Sequence, residues 1–182
     1  MFVRTPRLLL RPGWREDAPA LATAIGEEAI VRNLARAPFP YHVADAEAFL
    51  ALEQDPRLPA LLAFARTRGA PRLIGGCGIH RDAHGDAELG YWIARPHWGL
   101  GYATEAARAV LALGRTLGHV RIVAGHFTDN PASGHVLRKL GFHPTGRIAR
   151  RHSISRGGEV DCALYEHAED DCMSDRPVRL AA

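Results

Sequence analysis

The sequence predicts a mixed α/β domain, α+β in class, whose helices pack on one central, mostly antiparallel sheet. Short apolar runs closed by glycine or proline read as strands, and segments with apolar residues three and four apart read as helices. Their order is strand, two helices, three strands, helix, strand, helix, two strands, with no repeat and no linker, which mixes hairpins with helical crossovers.

Taken in order, Arg7 to Arg11 is the first strand, stopped by Pro12 and Gly13. Asp17 caps a first helix with Pro19 in its opening turn, where a missing N–H costs nothing, and Leu21, Ala24 and Ile25 form its apolar stripe. A second helix begins at Asp45 and carries Phe49 and Leu50. Leu61 to Arg66 and Leu73 to His80 are strands two and three around the Gly69-Ala70-Pro71 turn, and the Asp82 to Gly85 turn leads into strand four, Ala87 to Ala94. The clearest helix spans Tyr102 to Leu117, with Ala103, Ala106, Val110, Leu113 and Leu117 on one face and Gly118 as its stop. Val120 to Phe127 is strand five. Asn130 caps the last helix, Pro131 opens it, Val136, Leu137 and Leu140 are its stripe and Gly141 ends it. Phe142 to Arg150 and Glu159 to Tyr165 close the sheet around Gly157-Gly158. One domain is therefore expected across residues 1–182, its core at about 5–166 and a polar tail at 167–182.

A chain of 182 residues, 47% hydrophobic and 24% charged, buries a core without needing metals or disulfides. Cys77, Cys162 and Cys172 are odd in number and form no CxxC pair, which points to reduced thiols rather than a disulfide framework or a zinc site. No apolar run reaches membrane-spanning length, and MFVRTPRLLLR lacks the features of a secretory signal, so a cytoplasmic protein without membrane partners is expected. The net charge of +3 rests on arginine, Lys139 being the one lysine. Its densest run, Arg147, Arg150, Arg151 and Arg156, has no aromatic platform beside it, so it reads as a strand face or phosphate rim rather than a nucleic-acid site. His80, His84 and Asp86 straddle a turn and are not read as a metal site.

The stretch Arg95-Pro-His-Trp98-Gly99-Leu100-Gly101-Tyr102-Ala103-Thr104-Glu105-Ala106 runs from a strand into the best helix. Glycines there let backbone N–H groups approach an anion, and the helix amino terminus adds its positive dipole end, so the segment suits a phosphate or pyrophosphate. A tight turn needing glycine only for its backbone angles is the plainer alternative. The loop has no GK[ST], which excludes a P-loop; Thr104 stands where a dinucleotide fingerprint has its third glycine, although Asp129 is spaced like a ribose-binding acid.

At this loop the chain resembles the GNAT (general N-acetyltransferase) superfamily, whose cofactor signature is R/Q-x-x-G-x-G/A; Trp98 replaces its first Arg or Gln. WGLGYATEA, the opening TPRLLLRP, FPYHVADAEAFL from Phe39 to Leu50 and NPASGHVLRKLGF from Asn130 to Phe142 resemble the branch with ribosomal-protein N-terminal and spermidine acetyltransferases. The resemblance implies a twisted sheet of about seven strands, splayed between strands four and five, flanked by four helices. It also implies acetyl-CoA as cosubstrate, with no metal. Tyr91, Trp92 and Ile93 would pair through their backbones with the pantetheine arm, one amide holding the thioester carbonyl. Trp98, Gly99, Leu100, Gly101, Tyr102, Ala103 and Thr104 would bind the pyrophosphate, with Asn130 and Ser133 near the pantetheine.

An alkylammonium must lose a proton before it attacks, and the resemblance makes Glu88, in ELGYW, the candidate base; strand alternation leaves its facing open. Leu137 occupies the position where many members carry a tyrosine acid, so Ser133 is the candidate hydrogen-bond donor to the sulfur, or else a capping hydroxyl. Glu105 reads as structural. Trp14, Phe39, Tyr41 and His42 would line the acceptor side for a protein N-terminus, a polyamine or a small amine, and the resemblance leaves room for a homodimer. A non-catalytic acetyl-CoA-binding module and, more remotely, a dinucleotide-binding oxidoreductase are the alternatives.

Overall fold

The computed structural model describes residues 1–67 and 69–168. Eight strands form one sheet in the order β1-β2-β3-β4-β5-β6-β8-β7. They are β1 (Val3–Arg4), β2 (Leu8–Arg11), β3 (Ala60–Ala65), β4 (Arg72–Arg81), β5 (Ala87–Ile93), β6 (Arg121–Phe127), β7 (His143–Ser153) and β8 (Gly158–Ala168). The helices are α1 (Ala18–Ile25), α2 (Glu28–Val31), α3 (Val43–Leu50), α4 (Tyr102–Thr116) and α5 (Pro131–Lys139).

The expectation of seven strands and four helices is thus short by one of each. The extra strand is Val3–Arg4, folded back on Leu9 and Leu10 by a turn in which the Leu8 N–H donates to the Thr5 hydroxyl at 2.9 Å. The extra helix, α2, is a single turn that buries Ile30 and Val31. Helix α3 starts at Val43 rather than Asp45, because the Asp45 carboxylate reaches back to accept the His42 N–H at 2.7 Å. Strand β8 continues through residues assigned to the tail: His167 packs edge-on against Phe142 at 5.0 Å and hydrogen-bonds Arg115. The rest of the expected tail, with Cys172, lies outside the described residues.

Alternation along the strands divides the core into two layers. On β3, Leu61, Ala63 and Ala65 face α4 and α5, joining Leu8, Leu10, Ile79, Val110, Leu137 and Phe142. Leu62 and Phe64 face the other way, onto Leu21, Ile25, Ile30 and Val31 of α1 and α2. The fully buried Ala106 and Ala107 let α4 lie close on the sheet.

Antiparallel pairing runs throughout except between β5 and β6, which are parallel and matched at only Glu88↔Val123 and Leu89↔Ala124. Beyond Leu89 the two strands part. This is the splay that the resemblance implied, at the expected pair of strands.

Candidate active site

The register of β4 and β5 decides what β5 offers to this opening. The Ala94 N–H donates to Ile74 O at 2.8 Å and the Asp82 N–H to Asp86 O at 2.9 Å, and the pairs between them, from Gly75↔Ile93 to Arg81↔Ala87, are unshifted. An antiparallel ladder alternates, so Glu88, Gly90 and Trp92 spend their backbone groups on β4, while Leu89, Tyr91 and Ile93 turn theirs toward β6. Past Leu89 there is no β6 partner. The expectation for Trp92 is corrected by this alternation: its amide and carbonyl face Gly76, and those of Tyr91 and Ile93 face the opening. The Ile93 carbonyl is already taken, since the Trp98 indole N–H donates to it at 2.6 Å. Trp98 therefore ties the glycine loop to the end of β5.

That loop crosses one end of the opening. Gly99 and Gly101 have φ of 74° and 80°, left-handed angles that cost a side-chain-bearing residue about 1–2 kcal/mol. The space above them is clear: a β-carbon on Gly99 would meet nothing within 4 Å, and one on Gly101 only the Arg7 guanidinium at 3.6 Å. Gly101 is the residue preceding α4, and no side chain caps that helix, so its first amides are left for an anion. Glu105 fixes the helix from behind by accepting from the Thr5 hydroxyl at 2.6 Å, the Arg7 N–H at 2.9 Å and the Arg7 guanidinium at 2.6 Å. Arg7 also donates to Leu100 O at 2.9 Å. Burial pushes the Glu105 carboxyl up, and these bonds pull it below its ordinary value, as suits a structural carboxylate.

One groove of ≈ 1530 Å³ joins these parts. It is lined by Glu88, Tyr91, Trp92, Ile93, Trp98, Gly99, Gly101, Tyr102, Ala103, Thr104, Asn130 and Ser133, but not by Leu100, which is exposed. Of the acceptor-side candidates it includes Tyr41 and not Trp14, Phe39 or His42. Trp14 instead stacks under the Arg11 guanidinium at 3.9 Å and meets Phe2 edge-on.

Within the groove, Ser133 is no helix cap, and Asn130 makes no side-chain cap bond either. The Ser133 hydroxyl lies 2.7 Å from the Tyr91 hydroxyl, which is also 3.0 Å from Ser133 O. Burial raises the Tyr91 pKa, so the phenol stays protonated and able to donate. Sequence reasoning, which took only the backbone of Tyr91 as functional, missed this hydroxyl pair.

The side chain of Glu88 is 6% exposed and accepts from Arg151 of β7. It also lies 3.3 Å from His80 Nε2. Gly125 of β6 lies beside the pair: a β-carbon there would fall 2.7 Å from Cys162 Sγ, closer than real contacts allow, and 3.6 Å from Arg151 Nη1, an ordinary contact, so the glycine makes room for the Cys162 thiol. Burial alone would push the Glu88 carboxyl up, but the His80 hydrogen bond and the Arg151 charge outweigh it and hold the carboxyl below its ordinary value. The expectation that Glu88 itself collects the amine proton does not fit this setting, because a carboxylate stabilised as an anion by an arginine is a weakened base.

The arginine run is not a continuous basic face. Arg150 pairs with Asp161 at 3.2 Å, Arg151 with Glu88, and Arg156 with Asp129 at 2.8 Å. Asp129 is held by Arg156 and by Arg32 at 3.0 Å, and with just one parallel strand pair the sheet is no doubly wound dinucleotide fold, so that alternative falls. Asp86 pairs with Arg121 at 2.8 Å. Among the described residues no helix is long and apolar enough to cross a membrane.

The model of the Acetyltransferase (GNAT) domain matches residues 7–143. The uncharacterized N-acetyltransferase YoaA of Bacillus subtilis (strain 168) is 32% identical over 170 residues, covering 90% of this chain and 94% of YoaA. Among solved structures, the microcin C7 self-immunity acetyltransferase MccE, in complex with acetyl-CoA and AMP, aligns with a TM-score of 0.75 at 19% identity, over 90% of this chain and 93% of its own. RimL, a ribosomal L7/L12 α-N-protein acetyltransferase in complex with coenzyme A, gives 0.75 at 19% identity, over 92% and 98%.

Proposed function

The chain belongs to the GNAT acetyltransferase family and is an acyltransferase; on that premise we propose that it moves the acetyl group of acetyl-CoA to a primary amine, with both substrates bound together. The observation that carries this reading is the opening between β5 and β6, with unpaired Tyr91 and Ile93 amides on one edge and a glycine cradle at one end. The open positions above Gly99 and Gly101 and the uncapped start of α4 fit a pyrophosphate, held by residues 99–104. That MccE and RimL hold acetyl-CoA or coenzyme A on the same fold supports this ligand. Acetyl-CoA supplies an acyl carbon activated as a thioester. The Tyr91 N–H would receive its carbonyl oxygen, and the Tyr91–Ser133 hydroxyl pair would hydrogen-bond the departing sulfur.

The acceptor would approach past Tyr41, Glu28, Asp45, Glu53 and Asp55, which line the same groove. Carboxylates there suit an ammonium, whether of a protein N-terminus, a polyamine or a small molecule. Cys77 and Cys162 are free, buried thiols, which suits the reducing cytoplasm. Coenzyme A release measured against peptides with free N-termini, spermidine and small primary amines tests the reading. Saturable turnover of one class, with intersecting rather than parallel initial-rate lines, is expected. Binding of acetyl-CoA without turnover of any amine would replace it with the non-catalytic binding module.

A further inference from the structure

We propose that His80 is the base that accepts the amine proton, and that Glu88, anchored by Arg151, is the positioning residue that orients its imidazole. The inference rests on the acetyltransferase reading above and assigns a residue to it. In the register of the β4–β5 hairpin, His80 stands directly opposite Glu88, on the same face of the sheet. Its Nε2 lies 3.3 Å from Glu88 Oε2, and a carboxylate beside Nε2 favours the neutral tautomer with the proton there and the lone pair on Nδ1. No hydrogen bond occupies Nδ1 among the described residues. A β-carbon built on Gly90 would lie 3.5 Å from His80 Cε1 and 3.7 Å from Nδ1, so the ring covers the one residue between Leu89, where pairing with β6 ends, and Tyr91, whose amide faces the opening. The imidazole side chain is 36% exposed and lines the groove, whereas Glu88 beneath it is buried.

The two carboxylate oxygens have separate duties: Oε1 accepts from Arg151 and Oε2 faces the imidazole. The charged groups of this cluster are Glu88 of β5, which faces His80, and Arg151 of β7, which pairs with Glu88 and lies in the field of Asp82 in the hairpin turn; Glu53 and Asp55 line the same groove. The ammonium gives one proton to Nδ1, leaving an imidazolium paired with Glu88. The freed nitrogen pair forms the C–N bond as the C–S bond breaks. The amine's second proton goes to the sulfur beside Ser133 and Tyr91, and His80 releases its proton to water. One amide, one thiol and one proton result, with no oxidant or further reactant.

The test compares wild type with His80→Gln and Glu88→Gln, using acetyl-CoA and the best amine of the panel. His80→Gln is expected to keep acetyl-CoA affinity, measured by calorimetry, and to lose about a hundredfold or more in kcat, the usual share of general-base catalysis. The loss should narrow as pH rises and the amine deprotonates unaided. Glu88→Gln should fall between the two, with its kcat–pH profile displaced. A readout that needs no turnover is the nitrogen-resolved proton spectrum of the imidazoles, where His80 should show a protonated, slowly exchanging Nε2 and a bare Nδ1. Wild-type kcat in His80→Gln across pH 6 to 9, or a proton on Nδ1, overturns the proposal. An inactive wild type is a different failure, since it removes the acetyltransferase reading itself.

Discussion

At the scale of single residues, the Glu88–Arg151 pair is where the site and the stability of the fold meet. Its carboxylate is buried and stabilised as an anion. The folded pKa is lowered, so the pair's contribution is complete above the ordinary carboxylate range and disappears as pH falls through the folded value. Arg151→Met leaves the carboxylate buried with only His80 beside it, and the expected loss near pH 7 is about 3 kcal/mol. In that variant the Glu88 pKa rises, so acidification lets it protonate and the gap from wild type closes toward pH 4. Urea denaturation from pH 4 to 8 checks this, and the double variant with Glu88→Gln should recover much of the loss. A deficit independent of pH would mean that Arg151 acts through packing alone. None of this partnership was legible in ELGYW: Arg151 lies 63 positions on and reaches Glu88 only because β8 and β7 fold back beyond β6. The His80–Glu88 pairing was within reach. A hairpin turning between Asp82 and Asp86 sets residues 80 and 88 opposite each other, a consequence of strand register that no motif carries.

At the scale of elements, the glycine loop was the most legible part of the chain, because its backbone demands are written in its residue types. Gly99 and Gly101 take left-handed angles, and α4 begins where its apolar spacing begins. The role of Trp98 was not legible, since its indole bonds a carbonyl whose position depends on where β5 ends. Short elements were lost for a related reason: β1 has two residues and α2 four, too few for any period to show. The loop also provides its own control. Gly101 and Gly85 share positive φ values of 80° and 84° and open space around a built β-carbon, but Gly85 lies in the β4–β5 turn. Alanine at either position should cost about 1–2 kcal/mol from backbone strain, seen in chemical denaturation. Only Gly101→Ala should also weaken acetyl-CoA binding, because its methyl enters the cradle and its strain disturbs the α4 amides. Equal affinities for the two folded variants would leave the glycines as turn formers and nothing more.

At the scale of the whole molecule, the sheet is two bodies joined along a weak seam. Strands β1 to β5 form one antiparallel block and β6, β8 and β7 another; between them run two strand residue pairs and the Glu88–Arg151 and Asp86–Arg121 bridges, with helices packed across. A ligand lying in the seam replaces the missing β5–β6 pairing, so binding and folding are coupled. At a hundredfold excess over its dissociation constant, acetyl-CoA should add about 2.7 kcal/mol. For a chain of this size that corresponds to roughly 5–10 °C in Tm. ATP and NADH, which have no pantetheine arm to fill the opening, should give far smaller shifts at equal concentration. The shift alone would not locate the ligand, but amide exchange does. The Tyr91 and Ile93 amides face the opening and should exchange fast in the free protein and slowly with acetyl-CoA bound. The Trp92 amide, turned to Gly76, should be slow in both states. Protection that rises uniformly over the sheet, or a Tm shift of the same size with NADH, would place the ligand elsewhere and remove the seam as its site.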